Sequence, residues 1–202
     1  IPLRLVGSEM CIRDRWFYSN LGFWHVIDWN GLDHFYFLVT LVLPFSIKES
    51  GKLLWWVTLF TIGHTLSLIG NFYTEFSFSS YWIEILIPIT IALSAVAVFF
   101  LKSEKSVYRS KKIFPLMTIF FGIIHGLGFG RYFKMLIFDD AVTISLFSFA
   151  LGIELAQVTI VVFVLFTSWL VLKIFKNSKR SWEFFVSGLI LLASFKMILE
   201  RI

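Results

Sequence analysis

Apolar residues fill this chain in long continuous runs, each closed by a short cluster of lysines, arginines, glycines or acids. Runs of this length without strand-like alternation predict membrane-crossing helices and argue against a lipid-facing barrel. Six spans are expected. The first runs from Gly31 to Ile47, preceded by an aromatic, amphipathic segment over residues 16–30. The second covers Leu53–Phe72, the third Ser80–Leu101, and the fourth Ile113–Ile137 with a break near Gly130. The fifth falls within Ala141–Phe175, longer than the ~20 residues a bilayer needs, so it is expected to tilt or to project at one end. The sixth is Ser181–Ile202. The class is therefore an all-α, polytopic helix bundle in one domain, residues 16–202.

Composition agrees. Hydrophobic residues make up 58% of the 202 and charged residues 15%, with mean hydropathy +0.83. A soluble domain of this size needs more polar surface than that. The net charge of +5 does not point to nucleic acid, because the cations sit in short turns between apolar runs. Their distribution sets orientation. Lys48, Lys52, Lys102, Lys105, Arg109, Lys111, Lys112, Lys173, Lys176, Lys179 and Arg180 fall on one side. The positive-inside rule places that side in the cytoplasm and both termini outside, as for a multi-pass protein of a bacterial inner membrane. The tryptophans fall near predicted span ends, where interfacial belts form. One cysteine, Cys11, excludes an internal disulfide and makes thiolate ligation a poor expectation. The string VGSEMCIRDR over residues 6–15 resembles a translated sequencing adapter, so residues 1–15 are expected to be a non-native tail.

Against this apolar background the ionisable residues are few, and intramembrane ionisable groups mark function. His34, His64, Glu84, His125 and Glu154 each lie in a different predicted span, in its outer half. Asp33 adjoins His34, and 100° per residue would let one ligate while the other orients a neighbour. His25 and Asp28, three apart, would share a helix face, as would Asn30 with His34 and Glu154 with Gln157. His25, Asp28, Asn30 and Gln157 are expected to support the site or lead into it. Imidazole and carboxylate together suit a divalent transition metal such as nickel, zinc, copper or iron. Gly122, Gly126 and Gly130, with Gly128 between, form a row that permits close helix packing.

The ordered strings GLDHFYFLVTLVLP, FTIGHTLSL, WIEILIPIT, FGIIHGLGFG and FALGIELAQ resemble the HupE/UreJ family of hydrogenase and urease accessory membrane proteins over about residues 16 to 170. The resemblance implies a metal permease, with nickel as its ion, and carries Gly31, Asp33, His34, His64, Glu84, His125, Gly126, Gly128, Glu154 and Gln157. Ala150 and Ala156 stand where the family often has asparagine and glycine, and the third span lacks an expected asparagine. Expected partners are the bilayer and the ion, with a second copy or a metallochaperone as further candidates. Two other readings remain open. One is an intramembrane zinc hydrolase on the same residues, with Thr65, Ser67 or Ser148 lining its pocket; no GxSxG or HExxH string accompanies it. The other is a haem protein with paired axial histidines.

Overall fold

The computed structural model describes residues 3–29, 31–74, 79–100, 113–136, 142–175 and 178–202. Among these there are helices and no strands. In chain order they are α1 (Leu3–Val26), α2 (Asp33–Val42), a 3-10 turn (Ile47–Glu49), α3 (Ser50–Tyr73), α4 (Ser80–Phe100), α5 (Ile113–Leu136), α6 (Val142–Phe175) and α7 (Lys179–Arg201). Five are long and apolar enough to cross a membrane, α3 to α7. Their lipid-facing positions carry exposed Leu, Ile and Phe, while the bundle interior buries Phe37, Phe60, Phe133, Phe149 and Ile153. In a bilayer every backbone polar group must pair internally, which continuous helices achieve without outside help.

The sixth crossing departs from expectation. No single helix covers Gly31–Ile47: α2 has only 10 residues, about 15 Å at 1.5 Å per residue. Leu43 and Pro44 end it, since proline disfavours helical geometry in the residue before it and donates no hydrogen bond. Nor does the segment ahead of it lie in the interface. Residues 16–26 belong to α1, which lays one face along the helix α6 and leaves Trp16, Phe17, Asn20 and Trp24 exposed on the other. Tyr18 Oη donates to the Leu136 carbonyl at one end. Ser19 Oγ donates to the Ser148 carbonyl of α6. Gly22 and Gly152 let the two backbones touch, and a Cβ at either would collide with a carbonyl of the other helix. Two of the polar residues that lower the hydropathy of α1, Ser19 and His25, face other helices and not lipid. Beyond the break α2 continues in the same direction, past Ser94 of α4, until the Pro44 carbonyl meets Lys179 at the far end. Together α1 and α2 run the length of the bundle as one helix broken over residues 27–32.

Two other expectations change. Helix α5 is continuous through Gly130, where the small residue makes room for Asn71 of α3. Trp56 is buried against Phe45, ring centroids 5.2 Å apart, and does not join an interfacial belt. Helix α6 is one unbroken rod of 34 residues, about 51 Å. The cationic turns before α3 and between α6 and α7 gather at one end, called here the basic end. Arg180 ties that end shut by donating to the Val98 and Phe99 carbonyls of α4. The cationic segment 102–112, Asp139 and Asp140, and Asn30 lie outside the described residues.

Candidate metal centre

Helices α3 and α5 meet through glycine. A Cβ at Gly122 would strike the Phe60 carbonyl, one at Gly126 would strike Ser67 and His64, and one at Gly63 would strike the Ile119 carbonyl. Gly128 abuts Ile87 of α4. This backbone-to-backbone approach brings His64 of α3 and His125 of α5 toward a common axis, and both are buried. The broken helix supplies the other two imidazoles. His25 lies in the last turn of α1 and His34 in the first turn of α2.

The four rings form one cluster. Ring centroids are 4.8 Å apart for His25 and His34, 5.1 Å for His34 and His125, 5.6 Å for His34 and His64, and 5.7 Å for His25 and His64. One ring nitrogen from each of His25, His34 and His64 can be chosen so that all three lie within 4.8 Å of one another. The free nitrogens decide what the cluster can do. His34 Nδ1 is 3.0 Å from Asp33 Oδ1, which also accepts the His34 backbone N–H at 2.8 Å. With the carboxylate accepting from Nδ1, the Nε2 lone pair of His34 is free, and that atom is buried without a partner. His125 repeats the arrangement: its Nδ1 donates to the Phe121 carbonyl at 2.8 Å and its Nε2 has no partner. Both nitrogens of His64, and Nε2 of His25, are likewise buried and unpaired. Buried polar atoms rarely go unsatisfied, and a concentration of them in one pocket calls for a ligand. Imidazole nitrogens held by a carboxylate or a carbonyl through the opposite nitrogen are how proteins present ligands to transition metals.

The break contributes its own field. The last turn of α1 leaves carbonyls without helical partners, a partial negative charge that favours a cation. The N-terminus of α2 carries the opposite sign, and Asp33 in its first turn offsets it.

Not every expected residue joins. Asp28 lies in the break, exposed, because α1 ends at Val26, so it shares no helix face with His25. Glu84 is exposed on α4 and lines a separate small pocket with Asn71, Ser80 and Arg131, toward the end opposite the basic one. Glu154 sits elsewhere too. Thr58 Oγ1 and Thr61 Oγ1 approach its two carboxylate oxygens at 2.6 Å each, and Thr61 Oγ1 is also 2.8 Å from the Gln157 side-chain amide. One hydroxyl carries one proton. The network therefore closes when the amide presents its nitrogen to Thr61 and Thr61 donates to Glu154. Thr61 is one turn, and Thr58 nearly two turns, from His64 toward the basic end. Glu154 and Gln157 thus form a second polar layer, joining α3 to α6 beneath the histidines. Between the cluster and the basic end lie aromatic rings: Phe37 stacks on Phe60 at 5.0 Å and meets Phe121 edge-on at 5.4 Å. Below Phe37 and Phe121 is a cavity of about 50 Å³ that also touches Thr40, Ser94 and Thr118.

His25 was legible only as a supporting residue. Its place in the cluster follows from α1 entering the bundle, which the glycines at 22 and 152 permit but do not announce.

No curated protein and no solved structure matches the chain. Over residues 8–200 it matches the family model described as HupE / UreJ protein, and the chain belongs to that family of membrane accessory and metal-handling proteins.

Proposed function

We propose that this protein carries a divalent transition metal across the membrane by way of the imidazole cluster His25, His34, His64 and His125, with nickel as the ion. The observation that carries this reading is the set of buried, unpartnered ring nitrogens converging on the break between α1 and α2. Nitrogens bound to one ion at about 2.1 Å lie about 3 to 4 Å apart. The present separations, up to 4.8 Å, close with side-chain rotation of about an ångström. Neutral imidazoles favour nickel, copper or zinc over magnesium or calcium, which seek oxygen.

Asp33 is not a ligand in this reading; it orients His34. Asp28 and Glu84 attract the cation from the side opposite the basic end, which the positive-inside rule makes the outside of a bacterial inner membrane. Phe37, Phe60 and Phe121 form the floor of the centre. Glu154, one layer deeper, receives the ion when Thr58 and Thr61 turn away, and the small cavity beneath Phe37 and Phe121, mostly apolar with the hydroxyls of Thr40, Ser94 and Thr118 in its wall, leads it inward.

The test is uptake of nickel into proteoliposomes holding the purified chain, compared with His64→Ala and His34→Ala. Uptake should fall at least tenfold in both variants while helix content stays constant. Unchanged uptake in both would remove the cluster from the path. Chelator-sensitive hydrolysis of a lipid or peptide, without uptake, would replace transport by the hydrolase reading.

A further inference from the structure

At the basic end, away from the histidines, a groove of about 340 Å³ opens sideways between the turn after α2, the last third of α6 and the start of α7. Its lining is mostly apolar, Leu43, Leu165 and Leu172 included, and takes in Ser46, Ser168 and two lysines, Lys48 and Lys179. Lys179 Nζ donates to the Pro44 carbonyl at 2.8 Å, which fixes its ammonium beside the turn after α2. Trp169 and Trp182 also line the groove, and Trp182 Nε1 donates to Ser168 Oγ at 3.1 Å. Lys173 lies over the Trp169 ring at 4.8 Å and adds a third cation nearby.

The acids beside it are engaged. Glu183 is 3.3 Å from Arg180 and 3.9 Å from Lys179, and Glu49 accepts from Ser46 Oγ. Among the described residues in and beside the groove, four cations, Lys48, Lys173, Lys179 and Arg180, accompany two acids, Glu49 and Glu183, a positive balance next to an apolar slot. A sugar does not fit that pairing, since most of the lining is apolar and Ser168 Oγ already accepts from Trp182. A molecule with an anionic head and a hydrocarbon tail fits both halves.

We infer that this groove is a binding site for one anionic phospholipid, its phosphate on Lys48 and Lys179 and an acyl chain along Leu43, Leu165 and Leu172. The bilayer supplies that ligand at the right depth. Tryptophans mark the interface, and basic pockets between helices on the cytoplasmic side take anionic head groups. The consequence is specific. The site touches the Leu43–Pro44 turn, so the lipid braces the inner end of the broken helix against α6 and α7. The inference does not depend on which ion, if any, the histidines hold.

Native mass spectrometry of the purified full chain, titrated with phosphatidylglycerol or with phosphatidylcholine, tests it, together with thermal unfolding in vesicles of either lipid. One phosphatidylglycerol should be retained per chain in preference to phosphatidylcholine, and it should raise the melting temperature. Each lysine near the membrane surface should account for about fivefold of that preference. Lys48→Gln should therefore reduce it about fivefold, while Lys196→Gln at the opposite end should leave it intact. Because Lys179→Gln also breaks the bond to Pro44, Leu172→Trp is the second variant: it fills the apolar half, keeps both lysines, and should abolish retention. Equal retention of the two lipids, or preference unchanged in both variants, overturns the site. Stabilisation by inorganic phosphate matching that by phosphatidylglycerol also overturns it, as a small-anion site without a lipid.

Discussion

Asp33→Asn is the sharpest probe of the proposed centre, because it changes one charge without removing a ligand or a volume. Asp33 Oδ1 accepts two hydrogen bonds from His34, at 2.8 Å from the backbone N–H and 3.0 Å from Nδ1. Asparagine can meet that pair in two ways. If its oxygen faces the ring, the geometry survives and only the charge is lost. If its nitrogen faces the ring, His34 Nδ1 must accept, the proton moves to Nε2, and the lone pair aimed at the ion disappears. Carboxylates that orient a ligating imidazole are worth 10- to 100-fold in metal affinity, about 1.4 to 2.7 kcal/mol. The first arrangement belongs at the low end and the second at the high end. Stability should change less. Loss of a negative charge from the first turn of α2 costs about 0.3–1 kcal/mol.

Titration calorimetry of nickel into the solubilised chain measures the affinity, and thermal unfolding measures the stability. Asp28→Asn is the control, since Asp28 is exposed in the break. Nickel affinity should drop at least tenfold in Asp33→Asn and less than threefold in Asp28→Asn. If Asp33→Asn binds nickel within threefold of the unsubstituted chain while His34→Ala loses it, the orienting role of Asp33 is wrong. If Asp28→Asn is as damaging as Asp33→Asn, the effect is general attraction of the cation and the geometry is irrelevant.

Gly122→Val should separate α3 from α5, because its Cβ meets the Phe60 carbonyl. Overpacking of this kind costs about 1–3 kcal/mol, so the melting temperature and the nickel affinity should fall together. Gly188→Ala, with nothing within 4 Å of the added carbon, should leave affinity unchanged and raise stability by about 0.5–1 kcal/mol. Thr61→Val removes the hydroxyl between Glu154 and Gln157 and strands a fully buried amide; unfolding should show a loss of about 1–3 kcal/mol. Phe37→Ala opens the floor between the histidines and the cavity beneath, so nickel efflux from loaded vesicles should accelerate while equilibrium affinity stays within a few fold.

Helices α3 to α7 were readable because hydropathy reports contact with lipid, and each of these helices turns a broad face to it. Their ends shifted by only a few residues, from Leu53 to Ser50 in α3 and from Ser181 to Lys179 in α7. Hydropathy fails where a helix is screened by protein. Ser19 and His25 of α1 turn toward other helices, so their polarity made the segment read as amphipathic and not as part of a crossing. The row of glycines in α5 was visible as a four-residue repeat. Gly22 and Gly152 do the same work singly, one on each helix, and a single glycine leaves no period to detect. For the site, sequence could place imidazoles at a common depth, but depth is one coordinate. Glu84 faces outward from α4 and Glu154 sits a layer deeper against Thr58 and Thr61, and both depend on how neighbouring helices rotate and slide.

The break between α1 and α2 ties these failures together. A continuous helix through residues 27–32 would pair its own carbonyls and amides and would offer the cluster only side chains. Interrupting it there places a helix C-terminus and a helix N-terminus within one pocket, and it brings His25 and His34, nine positions apart, to ring centroids of 4.8 Å. On an unbroken helix nine residues span about 13.5 Å. The shortfall is the structural cost of bringing two imidazoles from one crossing to the same point. The break interrupts regular helix pairing, which at membrane depth is tolerated only where protein or a polar cavity surrounds the backbone. The tight glycine contacts of α1 with α6 and of α3 with α5 provide that enclosure. Loosening either pair should therefore damage the centre as much as removing a histidine.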